Sequence, residues 1–321
     1  MPEKMFKRIF MKSLCCLAPA VALAGCTLNM ENSVAKYPYI VAAEQFSTSF
    51  IVIDPNVDVL KNEAIVWRYA PIKDWDVPED KLRTFSNPSE VKIVKDGTKL
   101  LLTCSGGACA LIDLATGKYD WLVFPYGNPH SAELLPDGNV VTASSTGAYL
   151  RLYDLKKDIK GTVSKKYPLE SAHGVVWDKK TELLYACGKH GIVSYKYDPE
   201  KVELTQVKEY NLDLPDLASG GHDLYLDPRD GKLLVTVTRG MVKVDQESGK
   251  FEVITPQRHI KSVSVAPGIG TLVMIPTESW WSDKLGILDE QGVIKDFIRM
   301  PHMRFYKARW IPDMEKFQFK K

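Results

Sequence analysis

Hydrophobic residues in this chain come in short runs separated by turn-forming residues, and the arrangement returns at a spacing of about 40 residues. Its clearest mark is an aliphatic run ending in Asp or Asp-Pro: FIVIDP at Asp54, CALID at Asp113, LRLYD at Asp154, VSYKYD at Asp198, MVKVD at Asp245 and LGILD at Asp289. Within a unit, a near-continuous apolar run follows a turn. Such runs start at Lys99, Asn139, Glu182, Lys232 and Thr271, after turns such as Lys95-Asp96-Gly97 and Pro136-Asp137-Gly138. Before each turn the apolar residues alternate: Val91 and Ile93, Ala132 and Leu134, Val175 and Trp177, Leu224 and Leu226, Val263 and Val265. A period of two marks strands, and Gly, Asp and Pro supply the dihedrals of tight hairpins. Each full unit therefore predicts four strands, a to d, with the marker Asp at the end of c. No segment shows the extended 3.6-residue period of a helical solenoid.

The two ends of the chain complete the count. The first unit begins at strand b (YIVAAEQ, from Tyr39) and lacks a strand a, whereas Tyr306 to Asp313 (YKARWIPD) reads as a strand a with nothing substantial after it. Joined, they make one unit. The prediction is an all-β, six-bladed β-propeller of four-stranded antiparallel blades over residues 39–321, closed by the C-terminal strand joining the N-terminal blade.

The N-terminus departs from this pattern. Lys4, Lys7, Arg8 and Lys12 precede an apolar stretch, Ser13 to Ala24, that is too short to span a bilayer and suits a signal peptide. The stretch ends Leu23-Ala24-Gly25-Cys26, which resembles the lipobox of bacterial lipoproteins. That resemblance implies a signal peptide over residues 1–25 and lipid on Cys26, with residues 26–38 as lipidated Cys and tether. It also implies an address in the bacterial cell envelope. Thr27 follows the Cys, with no Asp to retain the protein at the inner membrane, so the outer membrane is expected; whether it faces the periplasm or the outside stays open.

Processing alters the charge. Residues 1–25 hold four of the 42 basic and one of the 40 acidic residues, so the mature chain has 38 and 39, a net of −1. No basic stripe remains to suggest nucleic acid. Cys104, Cys109 and Cys187 remain as well. Cys104 and Cys109 flank a turn and can pair in an oxidising compartment or stay as small buried thiols. Cys104 and Cys187 occupy the repeat position held elsewhere by Ser144, a site for a small side chain.

The units loosely resemble WD repeats, most closely at Gly221-His222 and the following DPRDG, but the Trp-Asp pair is absent and the His lies on strand a. From Tyr39 onward the pattern resembles an uncharacterised family of bacterial propeller lipoproteins, which implies a fold and an envelope address and no reaction. Two six-bladed enzyme families match poorly: the Asn column of the calcium-binding sugar lactonases and the Asp-box turns of sialidases are missing.

The candidate chemistry lies where strand a begins. Aligned on their turns, the six units place Ser89, His130, His173, His222, Lys261 and Tyr306 in one column, which takes three of the six His in the chain. The next column holds Glu90, Ser131, Gly174, Asp223, Ser262 and Lys307. Topology puts these on the face of the b–c turns, with Arg239, Glu278 and Trp281, and of the long Pro71–Pro88 connection with Trp75. Long loops in a compact domain are often functional. The candidate catalytic residues are His130, His173, His222 and Tyr306; the candidate ligand contacts are Glu90, Lys261, Arg239, Glu278, Trp281 and Trp75. His at a strand start can equally bond a neighbouring blade and serve structure alone. Neutral imidazoles are metal ligands, so a divalent metal at the column is considered, although no Cys or HExxH-type spacing supports one.

Three functions follow as expectations. The first is an envelope lipoprotein that binds a small molecule or oligosaccharide on the His face. The second is a carbohydrate lyase or hydrolase using His or Tyr as acid and base, with Lys261 or Arg239 holding an acidic sugar and Trp281 or Trp75 stacking on a ring. The third is a non-catalytic scaffold for a protein partner. Fold alone does not choose among them.

Overall fold

A computed structural model describes residues 37–58, 62–71, 77, 79–212 and 220–311. Cys26 and Trp75 lie outside these residues, as does everything before Tyr37. Six four-stranded sheets account for all the strands of the described chain. Two short 3-10 segments, Asn62–Ala64 and Glu79–Phe85, interrupt the strands.

Each sheet is one blade, and its first strand lies innermost. The inner strands are Phe305–Ile311 in blade 1, Pro88–Val94 in blade 2, Pro129–Leu134 in blade 3, Gly174–Asp178 in blade 4, Asp223–Leu226 in blade 5 and Ser262–Ala266 in blade 6. These starts fall within one residue of the predicted ones. Blade 1 is made from both ends of the chain: Phe305–Ile311 pairs antiparallel with Tyr39–Glu44, Tyr39 opposite Ile311 and Ala42 opposite Ala308. The ring closes as predicted, and each inner strand pairs with the second strand of its own blade.

The apolar pattern follows from this geometry. Second strands are covered on both faces by neighbouring blades, so Val140–Ser144 and Leu233–Val237 are buried throughout. Outer strands face water, and Ser164–Pro168 and Glu203–Asn211 alternate or expose most of their residues. Apolar side chains collect in six clusters, one per junction between adjacent blades. At Gly174 of the blade 4 inner strand, a Cβ would meet Leu224 of the next blade at 2.8 Å and Cys187 Sγ at 2.9 Å. The small side chain at Cys187 has the same origin. Cys104, Cys109 and Cys187 are free, buried thiols. Burial raises all three, Cys187 to about 12.

The marker Asp residues cap turns. Asp113 accepts from the backbone of Thr116, Asp154 from Lys157, Asp245 from Ser248, and Asp289 from Gln291 and Val293. Their periodicity is that of a repeated loop device.

At the axis the second column becomes an ion network. Lys307 and Arg309, both from the closing strand, are buried between Glu90 of blade 2 and Asp223 of blade 5. Lys307 Nζ lies 3.2 Å from Glu90 and 3.0 Å from Asp223. Arg309 donates to Glu90 at 2.8 Å and forms a short pair with Asp223. Ser131 of blade 3 donates to Glu90 at 2.9 Å, Val263 of blade 6 donates its N–H to Asp223 at 2.9 Å, and the carbonyl of His173 in blade 4 lies 3.5 Å from Lys307. All six blades thus meet in one hydrogen-bonded assembly. Burial by itself would raise Glu90 and Asp223, but the two cations outweigh it and hold both carboxyls below their usual values. Since the folded values are depressed, the contribution is complete at neutral pH and is lost only as pH falls through them.

Removing one partner of a buried pair leaves an uncompensated charge. Arg309→Ala is therefore expected to cost about 3–5 kcal/mol. Arg309→Ala combined with Glu90→Ala is expected to cost less than the two single changes together. Unfolding followed by circular dichroism checks both, and an Arg309→Ala protein as stable as the wild type would remove the network from the account of stability.

Candidate functional site

The column residues lie within one residue of the start of each inner strand, at one mouth of the axis. Tyr306, His130, His173, His222 and Lys261 meet there in sequence around the ring. The His130 and His173 rings stack with centroids 4.6 Å apart and planes 8° from parallel. Tyr306 lies against His130 at 5.4 Å, and His222 meets His173 edge to face at 5.3 Å. Lys261 Nζ lies 3.1 Å from His222 Nε2 and 3.3 Å from Nδ1. Ser89, the sixth member, is fully buried and donates to the Pro129 carbonyl at 2.6 Å, so its role is structural.

Hydrogen bonds assign one tautomer. His173 Nδ1 is 2.7 Å from the Ser171 carbonyl, which can only accept, so Nδ1 carries the proton and Nε2 keeps a free lone pair. His130 Nδ1 is buried and has no partner among the described residues.

The electrostatics follow from burial above a cationic pair. Desolvation lowers all three imidazoles, assisted for His222 by Lys261 and for His130 by His173. His173 falls to about 4 and His222 to about 2. Burial also lowers Lys261 to about 8, with Lys307 beneath contributing. Lys261 has no carboxylate partner among the described residues, unlike Lys307 and Lys92. Burial raises the Tyr306 phenol, as do Asp223 and Glu90. At neutral pH the mouth is a cluster of neutral imidazoles and a neutral phenol beside one lysine.

The structure separates the remaining candidates. Glu90 is fully enclosed in the axial ion network beneath the cluster, saturated by Arg309, Lys307 and Ser131. The expectation that it contacts ligand is corrected: it is a support. Glu278 and Trp281 line a cavity of about 570 Å³ on the same face, with Phe46, His302, Arg304 and Lys284 among the other walls. Arg304 lies over the Trp281 ring at 4.6 Å and over Phe46 at 5.5 Å. Phe46 and Trp280 are 65% and 51% exposed, leaving aromatic faces free on the rim. Arg304 and Phe46 escaped sequence reasoning because neither belongs to the repeat. Arg239 is exposed on the b–c turn of blade 5. Among the described residues, no three His, Cys, Asp or Glu side chains are placed to hold a metal ion. The stacked rings face one another and do not aim nitrogens at a common point.

A second cavity, of about 440 Å³, opens at the opposite mouth. Its walls are mostly apolar, with Leu224, Leu226, Val176 and Trp310, and its polar side is built from Arg309 and the Lys92–Glu133 pair. Lys92 Nζ is 2.8 Å from Glu133, and the charges there are already matched.

Fold and site together define a six-bladed propeller with an ion-filled axis and an imidazole–lysine cluster at one mouth. The chain belongs to DUF6528, a family of unknown function, whose model matches residues 10–320. No curated relative matches it. Among solved structures it is similar to a protein of unknown function from Bacteroides caccae, at 14% identity and a TM-score of 0.55, covering 86% of this chain and 100% of that one. It is similar to a chain of the nidogen/laminin complex at 12% identity and a TM-score of 0.59, covering 85% and 97%. A catalytically inactive His→Ala variant of virginiamycin B lyase from Staphylococcus aureus, with quinupristin, matches at 14% identity and a TM-score of 0.52, covering 84% and 87%. At these identities the likeness is one of fold.

Depressed imidazoles make stability depend on pH. Above the ordinary value of 6.5 the unfolded and folded states hold the same His protons. Below it the unfolded chain binds protons that the folded cluster refuses, so stability falls toward about pH 4. Between about pH 7.5 and 5 the loss is expected to be about 2 kcal/mol per buried imidazole. Thermal unfolding of the wild type and of the His130→Gln, His173→Gln, His222→Gln variant checks this: the variant should lose less stability over that range.

Proposed function

We propose that this protein is an envelope lipoprotein that binds an acidic oligosaccharide at the His-bearing mouth of its propeller. The single observation that carries the binding site is the cluster itself: a row of three neutral imidazoles in contact that ends at a lysine with no carboxylate partner among the described residues. An unpaired, partly buried ammonium favours an anion, and a carboxylate replaces lost water at that position. Neutral imidazoles supply donors and acceptors suited to hydroxyl groups. The neighbouring cavity with Trp281, Phe46 and Arg304, together with exposed Trp280, offers faces on which sugar rings can stack and a further cation for a second acidic residue. The opposite cavity is a poorer candidate for such a ligand because its cations Lys92 and Arg309 are already paired and Asp96 adds a carboxylate to its wall.

The second reading is a lyase or hydrolase acting on the same ligand. Its one geometric support is the His173 tautomer, which leaves the Nε2 lone pair as an acceptor for a ligand hydroxyl. The Tyr306 phenol would serve only as an acid or a hydrogen-bond donor, since its value is raised. A scaffold for a protein partner is the third reading; it would not require the cluster.

Lys261→Met is expected to weaken binding of uronate-containing oligosaccharides at least about tenfold, measured by calorimetry, without unfolding the protein. Binding by the wild type should weaken as pH rises through about 8, where Lys261 loses its charge. Equal binding by the variant would remove the acidic-glycan assignment. Appearance of unsaturated-sugar absorbance during incubation would establish the lyase reading over simple binding.

The envelope address rests on the Leu23-Ala24-Gly25-Cys26 sequence. Metabolic labelling with a fatty-acid probe in a bacterial host should mark the wild type and not Cys26→Ser, and the variant should leave the membrane fraction. Equal labelling of both proteins would rule out Cys26 as the anchor.

A further inference from the structure

The inner strands carry a further ring of residues, two positions beyond Glu90, Ser131, Gly174, Asp223, Ser262 and Lys307. It consists of Lys92, Glu133, Val176, Tyr225, Ser264 and Arg309, one from each blade. Side chains two apart on a strand point to the same side, so this ring also faces the axis. All six line the cavity of about 440 Å³ at the mouth opposite the His cluster. Small-molecule sites commonly have volumes of about 300–1,000 Å³. Ile93, Val94, Val176 and Leu226 are only part-buried there, so aliphatic surface stays open inside a concave wall.

In this wall the charges are matched, but N–H and O–H groups are left over. The Lys92 side chain is 15% exposed, and its Nζ donates to Glu133 at 2.8 Å and to the Val175 carbonyl at 2.7 Å. A lysine ammonium has a third N–H, which these two bonds leave free. The Tyr225 ring lies 5.8 Å from the Arg309 guanidinium, and its hydroxyl makes no hydrogen bond among the described residues. Ser264 Oγ accepts the Trp310 N–H at 3.0 Å, and its own proton has no acceptor among the described residues. Arg309 is 5% exposed, and its buried Nε–H has no partner among the described residues. Glu133 is taken up by Lys92, and the deeper Glu90 and Asp223 by Lys307 and Arg309. Spare donors without spare charge suit an uncharged acceptor oxygen, whereas an anion would meet Asp96 on the wall.

We infer that the opposite mouth is a second binding site, for an uncharged and largely apolar small molecule that presents a carbonyl-type oxygen, such as an aromatic ketone. The apolar body covers Ile93, Val94, Val176 and Leu226, and the oxygen accepts from Tyr225 and Lys92. Water by itself can satisfy the donors but leaves the aliphatic wall wet, and covering that wall supplies the favourable free energy. The axial ion network fills the space between the two mouths, so this site is independent of what binds at the His cluster.

Benzophenone is such a molecule, and under near-ultraviolet light its ketone carbon bonds to neighbouring C–H carbons. The purified protein is irradiated with it over a range of concentrations and mapped by peptide mass spectrometry. Labelling should saturate, and the peptides holding Ile93, Val176 and Leu226 should carry at least about tenfold more label than the mean of the others. Benzophenone-4-carboxylate, which adds a charge to the same frame, should label them at least about tenfold less. Tyr225→Phe should raise the concentration for half-maximal labelling about fivefold, the contribution of one hydrogen bond. Val176→Trp, which fills the cavity, should abolish saturable labelling. Unsaturable label spread over exposed apolar residues such as Val253 and Phe297 would mean a water-filled channel only and overturn the inference. Equal labelling by the carboxylate, or unchanged half-saturation in Tyr225→Phe, would overturn the assigned ligand chemistry. The wild-type map and the two probes need no variant, so the test stands even if a variant fails to fold. Failure of acidic glycans to bind the other mouth leaves this result unaffected.

Discussion

The structure depends on one buried electrostatic assembly at its centre. A propeller must fill its axis, because radiating blades cannot pack against one another there as they do farther out. Here the space is filled by Lys307, Arg309, Glu90 and Asp223, two cations and two carboxylates with matched charge. Both cations come from the strand that closes the ring. The last strand is therefore held twice, by its ladder to Tyr39–Glu44 and by charge to blades on either side of the axis. Apolar burial at the six junctions supplies most of the favourable free energy, but such contacts are alike from blade to blade. The ion network is specific to one ring order and one register. That matches the role of buried polar groups as determinants of a unique arrangement.

The same assembly shapes the site above it. The filled axis places Lys307, with its paired carboxylates, beneath the mouth. Imidazoles placed above it lose solvation and meet Lys307 from below, so they stay neutral. Lys261 is pushed toward neutrality for the same two reasons. The chemistry of the mouth is thus a consequence of how the ring is closed.

Much of the fold was legible in the chain because its determinants are local. Alternation of Val91 with Ile93, the Gly- and Asp-bearing turns, and the unpaired strand at Tyr306 each depend on residues within a few positions of one another. The column of His130, His173, His222, Lys261 and Tyr306 was legible for the same reason: repeats register it. Glu90 was misassigned from its neighbourhood to that column. A strand turns successive side chains to different sides, and one residue along places Glu90 inside the axis beneath the mouth. Arg309 was invisible as a partner because nothing local distinguishes a buried Arg from a solvated one.

What the sequence determined by itself is the blade: four strands, their turns and their Asp caps, and the count of six. What only the tertiary structure decided is which polar residues meet. Glu90 and Arg309 are 219 positions apart, Asp223 and Arg309 are 86 apart, and Lys261 reaches His222 across 39. Side-chain alternation is a property of neighbouring residues and is written in order along the chain. Pairing across an axis exists only once the ring has closed, because closure alone fixes the distance between strands from different blades.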